Sequence, residues 1–133
     1  MVEPKKGQAK RLILWTDCLE LARKIKADIE SGQHKFNSIY GIPRGGMAVA
    51  VILSHQLELP IVDRTGINAE TLIVDDISDS GNTLDDISYL FVKWHSEMVC
   101  AVLYQRNGTE YEADYVGEYI DNNDWIVFPW EVN

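Results

Sequence analysis

Apolar residues change their spacing several times along the chain, and each change predicts an element. Leu19, Ala22, Ile25 and Ile29 recur at helical spacing with Lys and Arg between them. Asp17 followed by Glu20 reads as a capping box and Gly32 as a stop, so a helix is expected over about 17–31. Residues 38–42 form a short apolar run ending in Pro43-Arg44-Gly45-Gly46, a strand that feeds a glycine-rich turn. Residues 47–57 are apolar nearly all round and predict a buried helix. Short strands are expected at 59–62 and at 71–74, the second ending abruptly in Asp75-Asp76. A helical pattern follows over 83–94, then strands at 99–104, 115–120 and 125–128. Continuous apolar strands alternating with helices predict an α/β fold with a mostly parallel central sheet flanked by helices. In such sheets ligands gather at the carboxyl ends of the strands. The loops at 43–46 and 75–83 both fall at such ends.

Composition narrows the picture. The chain has 133 residues, 46% hydrophobic and 25% charged, which suits one globular domain and excludes wholesale disorder. Residues 1–10 read as a polar tail and 11–133 as a single domain with no internal repeat or linker. Twelve basic against 21 acidic residues give a net charge of −9. That balance disfavours nucleic-acid and membrane partners, so an anionic ligand needs local features to hold it. Two cysteines, Cys18 and Cys100, build no disulfide framework and fit a reducing compartment. No stretch approaches the roughly 18 apolar residues of a membrane span, and the first ten residues lack a signal peptide's apolar core; a cytoplasmic protein is expected.

The stretch Leu72-Ile73-Val74-Asp75-Asp76-Ile77-Ser78-Asp79-Ser80-Gly81-Asn82-Thr83 holds the candidate chemistry. Small residues at Ser80, Gly81, Asn82 and Thr83 let successive amides converge, and a helix starting there adds its positive end, making a phosphate cradle. Two carboxylates beside such a cradle make sense when they face hydroxyls or a magnesium ion; a ribose 5-phosphate supplies both ends. A capped turn is the plainer alternative. An EF-hand fits worse, because Ile87 occupies its twelfth position. No Walker lysine loop, Rossmann glycine triplet, serine elbow or zinc spacing occurs.

Residues 72–83 closely resemble the phosphoribosyl-pyrophosphate (PRPP) signature of the type I phosphoribosyltransferase family. Ile42-Pro43-Arg44-Gly45-Gly46 looks like that family's pyrophosphate loop. Trp15-Thr16-Asp17 with Leu21-Ala22-Arg23-Lys24 resembles the opening helix of its xanthine–guanine branch. Trp125-Ile126-Val127-Phe128-Pro129-Trp130-Glu131 resembles the branch's purine-binding segment, here within 115–133. The similarity runs over nearly all of the chain after residue 11.

The resemblance implies a Rossmann-like fold and a glycosyltransferase of purine salvage that uses PRPP, Mg2+ and a 6-oxopurine, with a homodimer or higher homo-oligomer as its assembly. Asp75 and Asp76 would engage the ribose diol directly or through the metal, and Asp79 would act as general acid/base near N7 of the purine. Ser80, Gly81, Asn82 and Thr83 would hold the 5-phosphate; Arg44 and the Gly45 amide would meet the pyrophosphate. A non-proline cis peptide is implied at Pro43–Arg44. Trp125 would stack on the base, the Ile126 backbone would read its edge, and Glu131 belongs to the same segment. A core aromatic is the alternative for Trp125.

Two departures stand out. The family's long mobile lid is reduced to residues 63–70, which suit a tight turn. The base-reading lysine is replaced by Arg106, for which a solvated strand-end charge is the alternative. The shortened lid keeps a second reading open: a catalytically weak or inactive PRPP- or nucleotide-binding module on the same fold. A different acceptor, such as a pyrimidine, is a third.

Overall fold

The computed structural model describes residues 6–79, 98–109 and 111–131. The first helix, α1, spans Trp15–Ser31 and buries Cys18, Ala22, Ile25 and Ile29, one residue per turn along a single stripe. It starts two residues before the expected point. Asp17 is not the cap itself; it lies in the first turn, and its carboxylate accepts the Leu14 N–H at 2.8 Å. An acid there still sits at the positive end of the helix. Gly32 ends the helix as expected, its amide bonding Ile29.

Strand β2, Ser38–Gly41, leads into α2, Gly45–Leu57. The glycine pair expected as a turn is therefore the first turn of the helix. Gly46, Val49, Ala50 and Leu53 face inward, while Met47 and Val51 stay about half exposed, so α2 is not buried all round. Those two residues line a groove with Tyr40 and Ile61 instead.

Strands β3 (Thr71–Ser78), β4 (Val99–Arg106) and β5 (Tyr115–Ile120) complete a parallel sheet in the order β2-β3-β4-β5. Strand β3 does not stop at the acidic pair. Its pairing with β4 continues through Asp75↔Val102, Ile77↔Tyr104 and Ser78↔Gln105, which carries both carboxylates on a strand and not on a loop. The run expected at 59–62 makes an isolated parallel bridge, Ile39↔Ile61, beyond β2.

That bridge fixes the topology. From β2 the chain steps outward to Ile61, then returns to lay β3 on β2's other side. The order of the strands reverses there, so the crevice between the carboxyl ends of β2 and β3 is the switch point where open α/β sheets bind ligands.

Helices α1 and α2 cover one sheet face, packing on Ile39, Leu72, Val74, Ala101 and Leu103. The other face gathers Tyr40, Ile73, Cys100, Val102 and Val116 with Ile67 and Ala113. The helix expected over 83–94 lies outside the described residues.

A second sheet pairs β1, Lys10–Leu12, with β6, Trp125–Val127. Residues 8–10, expected as the end of a tail, are thus tied to the C-terminal segment. Gln8 donates to the Asn123 carbonyl, and the Trp125 amide donates to Ala9 at 2.6 Å. Between Val62 and β3 the chain makes a compact 3-10 turn, Arg64–Gly66, capped by the Asp63 carboxylate. The lid is short, as expected.

Candidate active site

The loop after β2 and the acidic end of β3 meet at very close range. The Pro43–Arg44 peptide is cis, as the resemblance implied. Helix α2 begins directly against β3. A side chain on Gly46 would come within 2.6 Å of the Val74 carbonyl, and one on Gly45 would overlap the Asp76 carboxylate. Only glycine lets this helix start so near the acids.

Alternation along β3 sends the two carboxylates to opposite faces. Asp75 is buried, and its Oδ1 accepts the Asp76 amide at 2.8 Å. Burial, and then the charge of Asp76, push its carboxyl up from 3.8 to about 8. Asp76 faces α2 and the C-terminal turn. Its Oδ1 accepts the Ile77 amide at 2.8 Å, and its Oδ2 accepts the Trp130 indole N–H at 3.3 Å. Trp130 itself stacks on Phe128, with centroids 4.9 Å apart and planes 4° from parallel, and meets Trp15 edge-on at 5.6 Å.

A second cluster forms around Arg106 at the end of β4. Its Nε donates to Asp79 Oδ1 at 2.7 Å, one terminal nitrogen to the Asn122 carbonyl at 2.6 Å, and the other to the Asp124 carbonyl at 2.8 Å. The side chain is 17% exposed, so it is not a solvated strand-end charge. Three of its five N–H groups are engaged with protein. The guanidinium thereby ties β3, β4 and the turn before Trp125 into one unit.

The remaining expected residues fall as follows. Trp125 is half-buried at the start of β6, while Ile126 is buried. The Trp125 amide and the Val127 carbonyl both point to the β1 side, bonding Ala9 and Ile13. The backbone of Ile126 between them therefore points to the opposite edge, where no strand pairs with β6 among the described residues. Glu131 is exposed, and its carboxylate accepts the Phe128 amide at 2.9 Å, capping the last 3-10 turn, Pro129–Glu131. Arg44 is exposed beside Gly45. Ser80, Gly81, Asn82 and Thr83 lie outside the described residues. Trp15 and Trp130 lie in stretches that carry the family resemblance, but sequence reasoning gave neither a role at the site.

This is the type I phosphoribosyltransferase fold with a shortened lid. A solved purine phosphoribosyltransferase from Pyrococcus horikoshii superposes with a TM-score of 0.78 at 27% identity, covering 95% of this chain and 96% of that one. The family model of the phosphoribosyl transferase domain matches residues 66–133, and the chain belongs to that family. Its curated relatives include the xanthine-guanine phosphoribosyltransferase of Vibrio parahaemolyticus, 28% identical across 93% of this chain and 90% of the relative. The corresponding protein of Cereibacter sphaeroides is 27% identical across 73% and 70%. Membership makes the chain a PRPP-dependent glycosyltransferase.

Proposed function

We propose that the acceptor is a 6-oxopurine (guanine, xanthine or hypoxanthine) and that the acidic pair, Asp79 and segment 125–131 form one reaction site. The observation that carries this reading is the Arg106 latch, which joins Asp79 to the turn that presents Trp125. An acid/base group and a stacking face held by one guanidinium suit a flat heterocycle that must shed a proton as it bonds. The edge-facing backbone of Ile126 suits a base rich in donors and acceptors.

In the reaction, the C1′–oxygen bond to pyrophosphate breaks, its electron pair leaves with pyrophosphate, and a ring nitrogen of the base forms the new bond to C1′. Asp79 takes the proton released by the base. The sugar passes through a cationic state, so positioning and electrostatics do most of the work. Because Asp75 and Asp76 leave β3 on opposite faces, a magnesium ion would be held by one of the two carboxylates together with substrate oxygens, Asp76 standing beside the start of α2. Mg2+ is characteristically held by one or two carboxylates together with substrate oxygens. When bound, it would neutralise the leaving pyrophosphate. Arg44 and the Gly45 amide would receive that pyrophosphate, and Ser80, Gly81, Asn82 and Thr83 the 5-phosphate.

The test is magnesium-dependent pyrophosphate release from PRPP with guanine, xanthine, hypoxanthine, adenine and uracil offered separately. Release with an oxopurine and formation of its nucleotide is the expected result. Release only with adenine or uracil overturns the acceptor. Saturable PRPP binding with no transfer to any base favours the binding module, a reading supported by the compact Asp63-capped turn in place of a lid.

A further inference from the structure

We propose that Trp130 is a positioning residue for the donor half of the reaction: its indole N–H orients Asp76, so segment 125–131 serves both the base and the PRPP-binding acid. The inference rests on the proposed site and adds a function to a side chain that would otherwise only fill space.

Three observations carry it. The Trp130 N–H reaches Asp76 Oδ2 at 3.3 Å across a separation of 54 residues. The ring has little freedom, because it lies flat on Phe128 and against the edge of Trp15. Phe128 is 2% exposed and in turn tilts against Tyr104 of β4, so the stack is anchored to the main sheet. Gly45 of α2 stands against the same carboxylate, where a Cβ would overlap Oδ2. Asp76 is therefore bounded by α2 and by the indole, with Oδ1 fixed by the Ile77 amide. A carboxylate that must meet a diol or a metal gains from being held in one orientation beforehand.

The position of Trp130 gives the contact a consequence. It lies four residues after Ile126, in the turn that closes the base segment. A shift of that segment on base binding moves the donor to Asp76, and thermodynamic linkage requires the reciprocal effect of PRPP on the base.

The test is Trp130→Phe, which keeps a stackable ring and removes the N–H. A hydrogen bond to a charged group contributes roughly ten-fold or more to an equilibrium. The variant is expected to bind Mg·PRPP about ten-fold more weakly by calorimetry, and its KM for PRPP is expected to rise by a similar factor. The KM for the base should stay within about two-fold, and the thermal midpoint should fall only by the few degrees that one lost hydrogen bond costs, because the stack survives. Unchanged affinity for PRPP, or equal losses for both substrates, overturns the proposal.

A second measurement needs no altered Trp130. In protein labelled with 15N at the indoles, the Trp130 Nε1–H resonance should shift on adding Mg·PRPP, its assignment made by replacing Trp15, Trp94 and Trp125 in turn with phenylalanine. An unmoved resonance at saturating ligand overturns the proposal. If no base is converted but Trp130→Phe still weakens PRPP binding, the transferase reading fails and this inference stands.

Discussion

At the scale of single residues, Asp75 and Arg106 each answer a question of charge. Asp75 keeps its proton in the folded, ligand-free protein up to about pH 8, whereas the unfolded chain releases it near 3.8. The folded state therefore binds more protons between those values, and linkage makes stability fall as pH rises through that window. Urea midpoints of ligand-free protein should decline from pH 5 to pH 8, and Asp75→Asn should flatten the decline. Parallel slopes in the two proteins would remove Asp75 as its source. Arg106 answers the opposite need, since its planar fork satisfies one carboxylate and two carbonyls at once. Lysine offers a single point of charge and cannot span the three. Arg106→Lys is expected to lower kcat/KM for the base about ten-fold or more, with a smaller effect on PRPP. Steady-state kinetics with each substrate varied would check this, and an unchanged value would separate Arg106 from the site. The acidic pair was legible because adjacent acids at the end of an apolar strand are unusual. The latch was not, because its acceptors include two backbone carbonyls that have no signature in residue type.

At the scale of elements, periodicity located α1, β2, β4, β5 and β6 to within a few residues, and its errors share a cause. Patterns of apolar residues mark where side chains are apolar, and hydrogen bonding continues through polar and glycine positions, some of them buried. Thus β3 runs through Asp75 and Asp76 to Ser78, and α2 begins at Gly45, ahead of its first apolar residue. Strand β1 went unseen in residues 8–12 because a three-residue strand between Lys10 and Leu12 has too few positions to show a period. The glycines at the junction of β2 and α2 carry information that no pattern of burial holds. A Cβ at Gly46 would press on the Val74 carbonyl and the Asp75 backbone, forcing α2 away from β3. Gly46→Ala should cost about 1–3 kcal/mol of stability, in the range for overpacked interiors. It should also lower PRPP affinity by displacing Gly45 and Arg44. Thermal denaturation paired with calorimetry checks both, and a variant as stable as the parent would show that the junction can relax.

At the scale of the whole molecule, the sheet order and the missing lid pull in different directions. Stepping out to Ile61 and back places the loops after β2 and β3 side by side, and the β1–β6 pair brings the base segment to the same end through Trp130 and Arg106. The alternation of strands and helices announced a parallel sheet but not where its order reverses. That depends on a single bridge at the edge, too short to register in composition. Between Val62 and Thr71, by contrast, the sequence was plain. Asp63 followed by Thr65 and Gly66 is turn chemistry, and the carboxylate accepts from both amides and from the Thr65 hydroxyl. A segment tied down in this way, with Ile67 buried against the sheet, has no length to fold over a substrate. Water therefore reaches the cationic sugar more easily than in an enzyme that closes. The expected consequence is slow release of pyrophosphate from Mg·PRPP with no base present, accompanied by ribose 5-phosphate and lost in Asp76→Asn. Release that does not exceed the uncatalysed rate, in protein that transfers to a base normally, would mean that the base must bind before the bond to pyrophosphate can break. In that case the ordering of substrates, and not a lid, would protect the donor.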